Sequence, residues 1–138
     1  MPLNNDKEKY WVGWLVDDLG GREKEYADKL FEKVEARMIP KSTAKRGILN
    51  MWWRKDSLYI DVTSSMDGAI TSTIHVQEYG TSLFVGRAAQ SYSQTNYYKR
   101  MGAAAFLETI DRCIVETFQP MVAESAVRKI GDPFTPGV

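Results

Sequence analysis

Residues 57–86 read SLYIDVTSSMDGAITSTIHVQEYGTSLFVG, and this stretch decides the fold. Apolar and polar side chains alternate along it, which is the period of a β-strand with one buried face. Two breaks interrupt the alternation. Met66-Asp67-Gly68 is a three-residue loop with glycine last, where a left-handed conformation is favoured, and Tyr79-Gly80 is a less typical two-residue loop. The stretch therefore predicts three consecutive antiparallel strands joined by short turns.

A fourth strand is predicted just before this stretch, at 48–54, with a turn at Lys55-Asp56. Its register follows from placing apolar residues opposite one another: Leu49 with Val62, Met51 with Ile60 and Trp53 with Leu58. The same rule gives the pairs in the next two hairpins: Ile60 with Ile74, Leu58 with Val76, Ile74 with Val85 and Val76 with Leu83. A slip of one residue would exchange the two faces of a strand, so the agreement among these registers predicts a four-stranded meander over about 48–89.

Two amphipathic helices flank the predicted sheet. Apolar side chains recur every four residues over 22–38, and Pro40 ends this helix because the residue before a proline is disfavoured in helical geometry. A long second helix is predicted over 95–118, and a further turn or two of helix over 121–130. Two helices that cover one face of an antiparallel sheet form a two-layer α+β domain.

We expect one domain that occupies residues 1–138, with flexible ends at about 1–9 and 131–138. The segment YWVGWLV at 10–16 is strongly apolar and fits either a short helix or an additional strand. Its conformation matters because this segment is one candidate for covering a face of the sheet.

The composition narrows the classes of partner and cofactor. The 138 residues include 18 basic and 18 acidic side chains, and duplex DNA is disfavoured as a partner because the chain has no basic excess. Cys113 is the only cysteine and His75 the only histidine, so we expect neither an internal disulfide nor a transition-metal site. The sequence also lacks the glycine-rich phosphate loops of nucleotide-binding proteins. We therefore expect no cofactor and no metal.

The first ten residues, MPLNNDKEKY, do not have the basic and then apolar layout of a secretory signal. No apolar run in the sequence reaches the roughly 20 residues that a membrane-spanning helix needs. These features predict a cytoplasmic protein that does not enter a membrane.

The predicted registers place an aromatic row on the face of the sheet that is not part of the core. Its members, with the adjacent row, are the candidate site residues: Trp52, Tyr59, His75 and Phe84 side by side, then Asp61 and Asn50. Three aromatic rings together on a face that should be exposed to solvent commonly mark an interaction surface. We therefore take this row as the candidate functional site.

Four interpretations of the row are open. The first is intramolecular covering by residues 10–16 or by the C-terminal segment. The second is oligomerisation, in which a second copy or another protein packs over the rings. The third is a small-ligand or enzymatic pocket lined by Trp52, Tyr59, Asp61 and His75. The fourth is stacking of single-stranded nucleic acid on the rings, which the neutral net charge disfavours.

An enzymatic role would use His75 as a base and Asp61 as its orienting carboxylate. A histidine that is hydrogen-bonded on a half-buried sheet is the simpler interpretation, and the sequence has no Gly-x-Ser-x-Gly nucleophile elbow. We therefore expect a small non-enzymatic interaction or assembly module that acts through the aromatic face, as a homo-oligomer or as an accessory subunit of a larger complex. The alternative is a small-ligand-binding protein or an enzyme that uses the pocket named above.

Overall fold

A computed structural model of the chain describes residues 11–38, 42–51, 54–64, 71–89 and 97–131. In chain order the elements of these ranges are β1 (Trp11–Val16), α1 (Glu23–Met38), β2 (Ser42–Met51), β3 (Arg54–Ser64), β4 (Thr71–Tyr79), β5 (Ser82–Ala89), α2 (Tyr97–Phe118) and β6 (Val127–Gly131). Both long helices begin and end within two residues of their predicted bounds. The predicted flexible ends fall outside the described residues, apart from Gly131, which is the last residue of β6.

The strands form one antiparallel sheet in the order β2-β3-β4-β5-β1-β6. The four predicted strands correspond to β2 through β5, which follow one another as a meander. The α+β class is therefore confirmed. The sheet is larger than the predicted four strands, because β1 and β6 extend it on the far side of β5.

The apolar segment at 10–16 supplies strand β1. Trp14 and Val16 point into the core and are 4% and 0% exposed. The strand lies in the plane of the sheet, with β5 on one side and β6 on the other. The interpretation in which this segment folds over the aromatic row is therefore wrong, because the segment extends the sheet instead.

The prediction of a helical turn or two over 121–130 is also wrong. A short 3-10 turn, Glu124–Ala126, leads directly into β6. Pairing with β1 satisfies backbone groups of this segment that a local helix would otherwise have to satisfy. Val127 thereby comes to lie opposite Val16, so this pairing depends on a contact more than a hundred residues away in the chain.

The hairpin between β3 and β4 pairs Ile60 with Ile74 and Leu58 with Val76, as predicted. The predicted register between β2 and β3 is wrong, because Leu58 lies opposite Ile48 and Lys55-Asp56 lies within β3 rather than in a turn. Trp53 lies outside the described residues.

An arginine on the core side of β2 explains why this register could not be found by matching apolar residues. Arg46 lies opposite Ile60, where an apolar partner was expected. Its guanidinium stands 5.1 Å from the centre of the Phe31 ring and donates to Asp28 of α1 at 2.6 Å. The aliphatic stem of an arginine can cover apolar surface while its charged end keeps polar partners.

The predicted register between β4 and β5 is shifted by two residues. Val76 lies opposite Val85 rather than Leu83, and the turn is at Gly80-Thr81. Gly80 has a φ of +63°, a conformation that glycine adopts without steric cost and that two-residue hairpin turns require. A shift of two residues preserves the faces, so Leu83 and Val85 still point into the core.

Both helices pack on the same face of the sheet, which is called the first face. Their buried side chains form one core with those of the strands: Tyr26, Leu30 and Val34 from α1, and Phe106, Ile110 and Ile114 from α2. The Tyr26 hydroxyl donates to the Ile114 carbonyl at 2.9 Å and so joins the two helices. Within the described ranges, neither helix combines the length and apolar character that crossing a bilayer would need.

Candidate interaction face

The side of the sheet opposite the helices is called the second face, and strand alternation fixes which side chains it carries. One row on it, called the glycine row, crosses all the strands from β2 to β6: Gly47, Tyr59, His75, Gly86, Gly13 and Ile130. One neighbouring row contains Gln77, Phe84, Leu15 and Arg128. The row on the other side contains Lys45, Asp61, Thr73, Ala88 and Trp11.

Aromatic rings lie over the three glycines of the glycine row. A Cβ atom placed on Gly86 or on Gly13 would stand 2.6 Å from the Phe84 ring, and one on Gly47 would stand 2.6 Å from the Tyr59 hydroxyl. The rings therefore occupy the space that side chains at these positions would fill.

Phe84 is the centre of an aromatic group at the β4–β5–β1 side of the second face. Its ring centroid is 5.9 Å from that of Trp11 and 6.4 Å from that of Tyr79, with interplanar angles of 77° and 80°. Edge-to-face contacts of this kind stabilise ring pairs beyond the area that they bury. Trp11 and Phe84 are half-buried, whereas Tyr79 is 48% exposed.

The polar side chains of the second face bond to one another across β3 and β4. The Thr73 hydroxyl donates to Asp61 Oδ1 at 2.6 Å. The Thr63 and Thr71 hydroxyls are 3.0 Å apart. The carboxylate predicted to orient His75 therefore has a hydrogen bond from a threonine of the neighbouring strand, and the geometry gives Asp61 a role in pairing the strands.

The structure brings together some of the predicted site residues. Tyr59 lies directly opposite His75, as predicted. Phe84 lies on the same face but one row away, because it is opposite Gln77 while His75 is opposite Gly86. Asn50 lies in β2, but its side chain, like all of Trp52, falls outside the described part of the structure.

Sequence reasoning missed three apolar contributors to this face: Trp11, Leu15 and Ile130. Ile130 belongs to β6, which was not predicted, and Trp11 and Leu15 belong to β1, which was predicted only as an alternative to a short helix. Alternation within WVGWLV was the available signal, since Trp11, Gly13 and Leu15 are at every second position. The pattern could not show that β1 would pair next to β5.

The described basic side chains of the second face lie on its outer strands, whereas the Asp61 carboxylate lies on the inner strand β3. Lys45 is on β2, and Arg128 is on β6, where it pairs with Asp17 at 3.0 Å. In the part of the chain that the structure describes, no group of three or more histidine, cysteine or acidic side chains is placed to hold a metal ion. Apolar side chains of β5, β1 and β6 surround Gly13, and Gly86 has His75 on its other side.

No protein-family model matches this chain, and no curated protein is significantly similar to it in sequence. A functional argument therefore starts from the geometry and chemistry of the second face.

Proposed function

We propose that this protein is a non-enzymatic interaction module that binds a protein partner through the second face of its sheet. The observation that carries the proposal is the difference between the two faces. The helices bury the first face, whereas the second face has partly exposed apolar side chains, namely Trp11, Leu15, Phe84, Ala88 and Ile130. Contiguous apolar patches rimmed by polar residues are typical of protein–protein interaction sites.

The extent of the apolar group on the second face favours a protein partner over a small ligand. Small-molecule sites are concave and enclose most of the ligand surface. The partly exposed apolar side chains of this face are spread over the three neighbouring strands β5, β1 and β6, and the Phe84 ring fills the space above Gly13 and Gly86. Such a surface makes its largest contact with another extended surface.

The charge distribution on the second face also favours a protein partner, in this case over a nucleic acid. A nucleic-acid strand needs a cationic track beside its stacking rings. Here the described basic side chains of the face, Lys45 and Arg128, lie on the two outer strands, and Arg128 is already paired with Asp17. Depletion of charge at the centre with polar groups at the rim is the usual anatomy of a protein interface.

Site-specific photo-crosslinking in cells tests the proposal. A benzophenone amino acid replaces Ala88, which lies opposite Trp11 on the second face, in the full chain expressed in its own cells. The matched control carries the same amino acid in place of Ala104, an exposed alanine on α2. We expect a protein adduct from position 88 and little or none from position 104.

The identity of the adduct is read by mass spectrometry, so a second copy and a different protein are distinguished in the same experiment. Equal labelling at both positions, or no protein adduct from position 88 when the variant is folded and abundant, would contradict the proposed function. Circular dichroism of the purified variants confirms that each is folded.

A further inference from the structure

We infer that the edge of β2 that faces away from β3, called the β2 edge, binds an extended peptide segment by strand addition. The segment carries an apolar and an acidic side chain at a defined spacing. The β2 edge is separate from the surface in the proposed function, since β3 and β4 lie between β2 and the apolar side chains of β5, β1 and β6.

The backbone of the β2 edge determines the class of ligand. Within the described ranges, no strand pairs with β2 on this side. On its other side β2 pairs with β3 without interruption from Ser42 to Leu49. In an antiparallel ladder every second residue turns its N–H and C=O away from its neighbour, so this stretch presents about four donors and about four acceptors outward. Another extended backbone is the ligand that matches such a row of groups in register.

The opposite edge of the sheet is less suited to strand addition. Strand β6 has 5 residues, and two of them, Arg128 and Lys129, are adjacent exposed cations. Short length and charged side chains are the usual means by which an edge strand avoids pairing. Strand β2 has 10 residues. Of its two cations, Arg46 is held by Asp28 of α1, which leaves Lys45.

An apolar row of the first face ends at the β2 edge with an exposed side chain. From the interior outward this row contains Trp14, Val85, Val76, Leu58 and Ile48. Trp14, Val85 and Val76 are buried, Leu58 is half-buried, and Ile48 is 59% exposed. An apolar side chain on an added strand would extend the row by one position and cover Ile48.

On the second face, Lys45 sets the charge that an added strand should carry. Its side chain is exposed and takes part in none of the ion pairs between described residues. A lysine on an edge disfavours pairing with an apolar or cationic strand, and a carboxylate opposite it removes that penalty. Pairing of β2 with β2 of a second copy would instead bring the cations of both strands together. The charge therefore favours an acidic segment over self-association.

The positions of Ile48 and Lys45 define the spacing of the two side chains in the ligand. They are three residues apart and lie on opposite faces of β2. The whole sheet is antiparallel, and antiparallel ladders are slightly more stable than parallel ones. In an antiparallel ligand the apolar residue comes three positions before the acid. The expected ligand is thus an extended segment with the pattern apolar-x-x-acidic, rich in β-branched residues.

A synthetic peptide tests the charge and the register. The peptide TVTTEIT, acetylated and amidated at its ends, places its valine opposite Ile48 and its glutamate opposite Lys45. We expect it to bind the full chain with a dissociation constant below about 1 mM, measured by fluorescence anisotropy. Lys45→Glu should weaken this binding about fivefold or more, and the peptide TVTTKIT should bind Lys45→Glu more tightly than it binds wild type.

The matched control is Lys129→Glu, which makes the same change of charge on the exposed side of the other edge strand. It should leave the affinity for TVTTEIT within about twofold of wild type. Circular dichroism confirms that each variant is folded.

Two N-methylated peptides test whether the backbone makes the contact. One carries methyl groups on the amides of the odd positions and the other on those of the even positions. In an added strand only one of these sets donates to β2. One peptide should therefore lose binding while the other retains it, whereas a ligand held by its side chains alone would show no such alternation.

Hydrogen exchange followed by NMR locates the bound peptide. The outward amides of β2 should exchange rapidly in the free protein and about tenfold or more slowly with saturating TVTTEIT, while the amides of β6 should not change. Protection of the outward β2 amides before the peptide is added would overturn the inference, because the edge would already be paired with a second copy or with another segment of this chain.

Three further outcomes would contradict strand addition at the β2 edge. They are no binding of TVTTEIT to wild type at about 1 mM, equal losses with Lys45→Glu and Lys129→Glu, and equal effects of the two N-methylated peptides. None of them bears on the proposed function, which photo-crosslinking from position 88 tests on a different surface.

Discussion

Arg87 of β5 and Asp111 of α2 form a two-point ion pair between the sheet and the helix. Arg87 Nε donates to Asp111 Oδ1 at 2.7 Å, and Nη2 donates to Oδ2 at 2.6 Å. The side chains are only 7% and 18% exposed. A paired guanidinium and carboxylate fix both distance and orientation, so this contact sets the position of α2 over β5.

Removal of one member of this pair should destabilise the fold more than removal of both. Asp111→Ala leaves a buried guanidinium without its carboxylate, and we expect a loss of about 3 kcal/mol in the free energy of unfolding. The double variant Arg87→Met with Asp111→Leu replaces the pair by apolar groups and should recover at least about half of that loss. Urea unfolding of the single and double variants measures both effects.

The control for this cycle is Glu108→Ala, which removes an exposed acid from the same helix. Its effect should stay within about 0.5 kcal/mol. If Asp111→Ala proves as mild as this control, the ion pair does not hold α2 on the sheet.

The sequence pattern could predict those parts of the fold that depend on contacts between residues close to one another in the chain. The helix at 22–38 follows from its own apolar period, and the Ile60–Ile74 register follows from strands joined by a short connection. Strand β1 pairs with β5, from which it is separated by about half of the chain, and with β6, from which it is separated by about four fifths of it. No local signal in residues 10–16 specifies those partners, so the conformation of this segment could not be decided from the sequence.

The face of the candidate site and the Tyr59–His75 pair were predicted, but the row of Phe84 was not. Alternation of side chains put Tyr59, His75 and Phe84 on one side of the sheet, and a shift of two residues leaves each side chain on the same face. The row of Phe84 depends on which residues form the β4–β5 turn, and in the structure Gly80, with a φ of +63°, is the first of its two residues. Tyr79-Gly80 and Gly80-Thr81 both contain this glycine, so composition alone does not separate them.

Gly20 should tolerate no side chain. Its N–H donates to the Thr81 carbonyl at 2.9 Å, and a Cβ atom there would stand 2.7 Å from the backbone of Thr81 and in contact with the Gly80 carbonyl oxygen. Because the obstacle is backbone, the loop after β1 would have to separate from the β4–β5 turn. We expect Gly20→Ala to lower the free energy of unfolding by about 2–3 kcal/mol, measured by urea unfolding.

Gly131→Ala is the matched control, since among the described residues a Cβ atom at that position has one neighbour within 4 Å, the Trp11 carbonyl oxygen at 3.9 Å. Its stability should be within about 0.5 kcal/mol of wild type. Similar losses for the two variants would mean that contact with the Thr81 backbone is not what restricts Gly20.

Stability should fall at alkaline pH because of a buried tyrosine. Burial raises the pKa of Tyr26 well above its ordinary value of 10.0. In the unfolded chain this phenol ionises near pH 10 while the native state retains the proton, so above that pH the unfolded state binds fewer protons and stability decreases. Burial also raises the pKa of Cys113 from 9.0, which adds a loss that begins about one pH unit earlier.

Tyr26→Phe separates the contribution of this tyrosine to the loss of stability at alkaline pH from the contributions of other groups. At pH 8 we expect it to cost about 1 kcal/mol, because the hydrogen bond to the Ile114 carbonyl is lost. Above pH 10 its stability should decline less steeply than that of wild type, by up to about 1.4 kcal/mol per pH unit. Urea unfolding at several values between pH 8 and pH 11 measures both slopes, and parallel slopes would show that the native phenol ionises as readily as the unfolded one.

The effect of a methyl group at Gly86 should change sign when Phe84 is removed. The three heavy atoms nearest to a Cβ atom at Gly86 all belong to the Phe84 ring, at 2.6, 2.7 and 3.8 Å. In wild type, Gly86→Ala must displace the ring and should cost about 1–2 kcal/mol. In a Phe84→Ala background the same change meets no obstacle, and alanine loses less backbone entropy than glycine, so it should be neutral or stabilise by up to about 1 kcal/mol. A thermal or urea double-mutant cycle measures the coupling, and additive effects would show that the Phe84 ring does not rest on Gly86.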